Sequence, residues 1–284
     1  MRFGIVQFTS DTGPSPVRVA AAAERAGFDS FWVPEHTHIP VARQAAHPGT
    51  GTSELPDERY LRTLDPWVVL SMIAAVTRRI RLSTAVALPV EHDAIALAKT
   101  IATLDHLTGG RVTLGAGFGW NTDELAHHGV QPRHRRTALR EHLEAMQALW
   151  SQQEASYRGE HISFGPSWAF PKPAQQPRVP VLIGAGGTGK TFAWIARWAD
   201  GWITTPTEGE LDDKIALLRK TWREAGREGE PQIVALAGKP DPQVLARWAE
   251  LGVTEVVFGV QHKPADEVEP FLARLAGKLG IQEG

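Results

Sequence analysis

The sequence predicts an α/β fold, a closed (β/α)8 TIM barrel built as a single domain over residues 1–284. Three observations point there. Short apolar strands alternate with amphipathic helices through eight units. A helix stopped by glycine with an apolar strand close behind recurs at Gly27, Gly201 and Gly252. Strand–helix units also resume in phase after two long departures, at 37–64 and 151–179, so neither reads as an interdomain linker. The count favours a closed barrel over an open doubly wound sheet.

In order, a strand at Phe3 to Phe8 leads to a helix from about Ser15 to Ala26, with Val17, Ala20 and Ala21 on one face, and a second strand runs from Ser30 to Pro34. Asp65 and Pro66 form an N-cap and first-turn pair for a helix through Thr77, after which Ile80, Leu82, Thr84 and Val86 alternate as a third strand. Ala94, Leu97, Ala98, Ile101 and Leu104 have helical spacing, Val112 to Gly115 is a short strand, and Leu139, Leu143, Met146 and Leu149 face one side of the next helix. The fifth unit starts at Pro180 and continues into a helix bearing Phe192, Ile195, Ala196 and Ala199. The sixth is Trp202 to Thr205 with a helix near Asp212 to Ala225. Strands at Ile233 to Ala237 and Val256 to Val260 are followed by helices at Pro242 to Leu251, capped by Asp241, and Pro264 to Lys278. The 37–64 segment follows a strand, which puts it on the face where barrel active sites lie, as a candidate lid. The Pro-rich 151–179 segment follows a helix and has room for two short strands around Ile162 and Trp168.

Bulk properties narrow the function classes. With 42% apolar residues the 284-residue chain has ample core, and a net charge of −2 gives no reason to expect nucleic acid or an anionic membrane surface as a partner. Zero cysteines exclude disulfides and thiolate catalysis. The chain enters a strand at Phe3 without a signal-like segment, and no apolar run approaches membrane-spanning length, so a soluble cytoplasmic enzyme is the expectation.

The most informative run is the glycine-rich turn Gly184, Ala185, Gly186, Gly187, Thr188, Gly189, Lys190, Thr191, set between a strand and a helix. Glycine lets the backbone approach an anion, and the helix start offers unpaired N–H groups and a positive dipole end, so a phosphate-bearing ligand suits it. The same string satisfies the P-loop pattern of nucleotide triphosphatases. That reading needs a later apolar strand ending in a magnesium-binding Asp, and Trp202 to Thr205 and Glu255 to Val260 supply none. A tight turn with no ligand is the plain alternative.

The second strand runs into Trp32-Val33-Pro34-Glu35-His36, placing a carboxylate and an imidazole at a strand's C-terminal end. Histidine exchanges a proton near neutral pH, and an adjacent glutamate can orient it. A surface Glu-His pair is the competing reading. His36-Thr37-His38 also invites a metal, but the other strand ends offer Ala87, Leu88, Gly117, Gly184, Thr204, Ala237 and Gly259, and His262 alone does not complete a ligand set, so no metal is expected. His127, His128, His134 and His142, among Arg133, Arg135, Arg136 and Arg140, read as solvated or packing residues, some within reach of an acidic ligand tail. Trp194 and Trp198, a helical turn apart, read as packing.

FWVPEH at 31–36, LSTAVALP at 82–89, LAKTIATLDHLTGGRVTLGAGFGW at 97–120, and VLIGAGG followed by ADGWITT together resemble the luciferase-like monooxygenase superfamily, in its branch of oxidoreductases using the deazaflavin coenzyme F420. The likeness spans nearly the whole chain, and the middle run is its most specific part. It implies a luciferase-like barrel, commonly homodimeric, with the deazaflavin or flavin across its C-terminal mouth. His36 would then be the active-site acid/base and Glu35 its cofactor-facing neighbour. Thr84, Ala85 and Val86 would back the ring through a non-prolyl cis peptide at Ala85-Val86. Gly117, Phe118 and Gly119 would flank it, and Gly184, Ala185, Gly186, Gly187 and Thr188 would hold the phosphate. Trp120 stands near the position of a catalytic glutamate in the sugar-phosphate dehydrogenases of that branch, so their substrate is not carried over. Lys190 and Thr191 extend the glycine motif beyond the family's usual form. The expected function is hydride transfer between F420 and a small organic substrate, with a reduced-FMN-dependent monooxygenase on the same barrel as the nearest alternative and a ligand-binding barrel without turnover as a third.

Overall fold

The computed structural model describes residues 1–205, 208–260 and 264–282. Eight parallel strands close into a barrel: β1 (Arg2–Gln7), β2 (Ser30–Val33), β3 (Arg81–Thr84), β4 (Val112–Ala116), β7 (Val181–Gly184), β8 (Gly201–Ile203), β9 (Gln232–Ala237) and β10 (Glu255–Val260). They pair in that order, with β10 against β1 in the register Arg2 to Glu255 through Gln7 to Val260. Runs such as VLIG and EVVFGV suit such strands because a parallel barrel strand is covered on both faces. Inside the barrel, Trp32, Leu182, Ile203, Val234 and Val257 pack together. A larger core, including Ile5, Phe31, Leu114, Ile183 and Ile233, fills the space between strands and helices.

The surrounding helices are α1 (Pro16–Arg25), α2 (Pro66–Val76), α3 (Ala94–Thr108), α5 (Arg135–Ser151), α6 (Gly189–Trp198), α7 (Asp212–Glu224), α8 (Pro242–Glu250) and α9 (Ala265–Leu279). Local chemistry sets many of their ends. Asp65, Asp93 and Asp241 accept from first-turn amides of α2, α3 and α8, and Gly109 ends α3 at φ +67°. Among the described residues no helix is long and apolar enough to cross a membrane.

Four elements differ from expectation. The third strand stops at Thr84 instead of reaching Val86; the Ala85-Val86 peptide is cis, and pairing with β4 returns as a single bridge from Ala87 to Ala116. The sixth stops at Ile203, and the Thr204 hydroxyl turns instead to the Leu236 amide at 3.0 Å. An extra short helix, α4 (Thr122–His127), follows β4. In the 151–179 insertion the two strands are β5 (Ala155–Arg158) and β6 (Ser163–Ser167), an antiparallel hairpin whose turn is held by the Glu141 carboxylate through the amides of Glu160, His161 and Ile162.

The 37–64 segment is tied at both ends. Asp123 of α4 accepts from the Gln44 and Ala45 amides, each at 2.9 Å. At the far end Arg62 makes a two-pronged ion pair with Asp11, and Ser10 bridges to Thr63. A turn of 3-10 helix at Glu58–Arg62 then presents Tyr60 to the loop following β2.

Candidate active site

Parallel closure brings the sequence-predicted residues to one end of the barrel. His36 follows β2, Ala85 and Val86 follow β3, Gly117 to Gly119 follow β4, and Gly184 to Thr188 follow β7; these four strands are neighbours in the ring. That arc lies at the C-terminal rim, where barrel enzymes place their chemistry.

His36 is held from both ring nitrogens. Its Nδ1–H donates to Glu124 Oε2 at 2.8 Å, and the Trp120 indole N–H donates to its Nε2 at 3.3 Å. An indole nitrogen is only a donor, so these partners select the tautomer with the proton on Nδ1 and the lone pair on Nε2. The imidazole is 7% exposed and the Glu124 side chain 1%. Glu124 Oε1 also accepts from the Thr37 amide at 2.9 Å, which locks the residue after His36 to the same carboxylate.

Glu35, expected as the neighbour that orients His36, points elsewhere. Its carboxylate accepts from the Leu88 amide at 2.6 Å and from His92 Nε2 at 2.7 Å, and the bond to His92 raises the His92 pKa against the opposing pull of burial. The two neighbours thus send their side chains to different elements, Glu35 to the β3 loop and His36 to α4. The carboxylate that serves His36 comes from 88 residues away and was missed. Its signal, Asn121-Thr122-Asp123-Glu124, has the form of a helix-capping box. Asn121 does cap α4, but the Glu124 side chain leaves the helix for His36.

Three aromatic groups enclose the histidine. Trp120 meets it edge-on with ring centres 5.6 Å apart, and Tyr60 lies at 5.6 Å. His47, from the same long segment, packs edge-on against both at 4.9 and 5.0 Å and bonds the Tyr60 hydroxyl at 2.9 Å. Burial, then the neighbouring His36, pushes the His47 pKa down; burial, then Asp57, pushes that of Tyr60 up. The loop expected as a lid therefore contributes side chains to the site, none of which the sequence singled out.

Val86 forms part of the mouth's floor. A Cβ on Gly117 would lie 2.5 Å from one Val86 methyl and a Cβ on Gly184 2.4 Å from the other, so glycines at those two strand ends make room for this side chain. Thr84 is buried and bonds the Gly115 carbonyl at 2.7 Å. Phe118 lies under the Arg136 guanidinium at 4.5 Å, and Arg135 donates to the Gly119 carbonyl at 3.1 Å. Of the arginines read as solvated or packing residues, Arg135 and Arg136 thus pack on the β4 loop.

At the glycine-rich turn, the Gly187 amide donates to Glu208 Oε1 at 2.8 Å, while among the described residues nothing lies within 4 Å of where a Cβ at 186 or 189 would sit. Burial pushes the Glu208 pKa up, but bonds from Lys214, the Gly187 amide and Thr205 outweigh it and hold the carboxyl below its ordinary value. The turn thus grips an anion, one from its own chain. Lys190 is exposed, and Thr191 is buried with its hydroxyl 3.0 Å from that of Thr188, an arrangement of helix capping instead of magnesium binding.

His36 and His38 do not converge on a common point. His38 Nε2 pairs with His127 Nδ1 at 2.8 Å, while His36 turns to Glu124. Among the described residues the group whose donor atoms lie within 4.8 Å of one another is His134, Glu160 and His161, between the start of α5 and the hairpin turn. His262 lies outside the described residues.

A barrel with an oriented imidazole at its rim and an anion-gripping turn two strands from β3 has the form of a small-molecule enzyme. The chain belongs to the luciferase-like monooxygenase family, whose model matches residues 1–240. It is 64% identical over 279 residues to an uncharacterised protein of Mycobacterium tuberculosis, covering 98% of this chain and 99% of that one. It is 32% identical over 279 residues to the F420-dependent glucose-6-phosphate dehydrogenase of Kineococcus radiotolerans, covering 93% of this chain and 75% of the relative. The crystal structure of monooxygenase RslO1 from Streptomyces bottropensis superposes with a TM-score of 0.80 at 21% identity over 98% of both chains.

Proposed function

We propose that this protein is an F420-dependent oxidoreductase that moves hydride between the deazaflavin and a small organic substrate, with His36 handling the accompanying proton. The observation that carries the proposal is the His36–Glu124 pair, which keeps Nε2 unprotonated at the rim, where only the long 3.3 Å bond from the Trp120 indole occupies its lone pair. The relative named as F420-dependent supports the choice of cofactor.

The residues present fit a phosphate-bearing ring cofactor. Gly187 offers an amide that already binds a carboxylate, the backbone at Gly186 and Gly189 is open to approach, and Val86 gives an apolar floor near Gly117. Gly184 to Thr188 would hold the phosphate, displacing Glu208, and Ala85, Val86, Gly117, Phe118 and Gly119 would border the ring, with Thr84 behind them. When bound, the deazaflavin supplies or accepts the hydride.

The chain's own contribution is orientation, exclusion of water and proton handling. Nε2 of His36 exchanges its bond from the Trp120 indole for one from a substrate hydroxyl and accepts that proton, and Glu124 stabilises the imidazolium that forms. Trp120, Tyr60 and His47 keep water from the reacting atoms. Glu35 acts as a positioning residue by fixing the Leu88 amide and His92 beneath the β3 loop.

The reading keeps a cytoplasmic location and a homodimer. On α2, Val68, Met72 and Val76 project from one face with exposures of 61%, 57% and 51%, an apolar stripe suited to a second copy of the chain. Equilibrium titration with F420 and with FMN tests the cofactor assignment. Saturable F420 binding is expected. FMN binding alone would make the protein a reduced-flavin monooxygenase, and affinity for neither would end the redox reading.

A further inference from the structure

On the Nδ1 side of His36 three carboxylates from three elements are buried together. Glu35 follows β2, Glu91 lies in the short 3-10 turn after β3, and Glu124 is in α4, with side chains no more than 1% exposed. His36, His38, His92, His127 and His128 stand around them. Both oxygens of Glu35 and both of Glu124 have hydrogen-bond donors.

Glu91 differs. Its Oε1 is buried without a hydrogen-bond partner among the described residues, while its carboxyl meets the Thr37 hydroxyl at 3.1 Å, and that same hydroxyl lies 3.5 Å from the Glu124 carboxyl. An ionised group in that setting would leave charge on an unpartnered oxygen beside a second carboxylate. A neutral carboxyl removes both penalties and has one proton, which it can direct either at Glu124 or at the Thr37 hydroxyl.

Thr37 Oγ1 connects the pair to the surface. It lies 3.1 Å from Glu91, 3.5 Å from Glu124, 2.7 Å from His128 Nε2 and 3.0 Å from His38 Nδ1. A hydroxyl has one proton and two lone pairs, so rotating it reverses the direction of the chain. With Nε2 of His128 unprotonated, Thr37 donates to it and accepts from Glu91; with Nε2 protonated, Thr37 accepts and donates to a carboxyl. The His128 side chain is 27% exposed and so reaches solvent.

We infer that Glu91 and Glu124 hold one proton between them, and that this pair, exchanging with solvent through Thr37 and His128, supplies and removes the proton that His36 handles. The inference rests on the proton role given to His36 above. No electron moves in the relay. For each proton taken at Nε2 of His36, the Nδ1 proton passes to Glu124, that of Glu91 to Thr37 and that of Thr37 to His128, which releases one proton to water. The electrostatics agree: burial, then Glu124, lifts the Glu91 pKa to about 8. Burial, then His38, pulls His128 down, leaving it neutral and able to accept.

Two measurements on the ligand-free protein test this without any cofactor. Infrared titration should show a protonated carboxyl at pH 7 that disappears with a midpoint near 8 and is missing in Glu91→Gln. Absence of that band in the unsubstituted protein, or its persistence in Glu91→Gln, would overturn the shared proton. Exchange of the His36 Nδ1 proton with solvent, followed by NMR, should slow by at least about tenfold in Thr37→Val. An unchanged rate would overturn the relay. A protein that passes both tests yet turns over no F420 substrate would contradict the redox proposal alone.

Discussion

The Glu124 carboxylate lies 2.8 Å from His36 Nδ1, although the residue beside His36 in the chain, Glu35, is also a buried carboxylate. Two acids thus divide the work at one rim position. One fixes the imidazole, and the other fixes the loop behind it.

Glu124→Gln should lower kcat by about 100-fold while changing KM little, because the amide no longer compensates the charge that forms on His36. His36→Ala should cost a similar factor. The double variant should be scarcely worse than either single one, since the two act as a unit. Steady-state rates of the three variants check this, and additive losses would show that the residues act separately.

How much of this was legible beforehand follows from the range of the signals. Strand–helix alternation is local, so eight units and their capping residues could be read from spacing, and the parallel closure then put His36 and the glycine turn at one mouth. Glu124, Tyr60 and His47 could not be read that way. They reach His36 through tertiary packing across 88, 24 and 11 residues, and Glu124 carries the local disguise of a capping box. Gly117 and Gly184 suggested ligand approach, yet their missing Cβ atoms are explained by Val86.

That packing makes a second prediction. Gly117→Ala should destabilise the fold by about 1–3 kcal/mol through overpacking against Val86. Combining it with Val86→Ala should recover part of the loss, because the methyl that would be struck is gone. Denaturant midpoints of the single and double variants measure the coupling, and strict additivity would show that the clash is relieved elsewhere.

The glycine turn separates folding from binding at adjacent positions. Among the described residues a Cβ at 186 meets nothing within 4 Å, whereas one at 187 would lie 2.9 Å from Trp202 and 3.0 Å from Phe192. Gly186→Ala should therefore leave the thermal midpoint unchanged and weaken cofactor binding by about tenfold or more, if the phosphate occupies that space. Gly187→Ala should lower the midpoint itself. Equal F420 affinity in Gly186→Ala and the unsubstituted chain would move the phosphate to another site.

The exposed stripe on α2 bears on assembly. Met72→Glu puts a charge at the centre of the face formed by Val68, Met72 and Val76, all exposed in the single chain. Sedimentation should show a dimer for the unsubstituted protein and a monomer for the variant, with the thermal midpoint of the monomer barrel little changed. A dimer that survives the substitution would place the interface on another face.

Glu91 also sets a pH dependence of stability whose sign can be worked out. Its folded pKa, about 8, lies above the ordinary 4.5, so between those values the folded protein keeps a proton that the unfolded chain has released. Stability then falls as pH rises through that window, and the loss is complete above about 8. Each pKa unit corresponds to about 1.4 kcal/mol, so a few kcal/mol are at stake. Glu91→Gln removes the ionisation while its amide can still donate to Glu124 and Thr37. The variant's thermal midpoint should thus vary less between pH 5 and pH 8.5 than that of the unsubstituted protein, on the order of several degrees less. Parallel curves for the two proteins would mean that Glu91 ionises normally in the fold, and that its orphan oxygen finds a partner in solution.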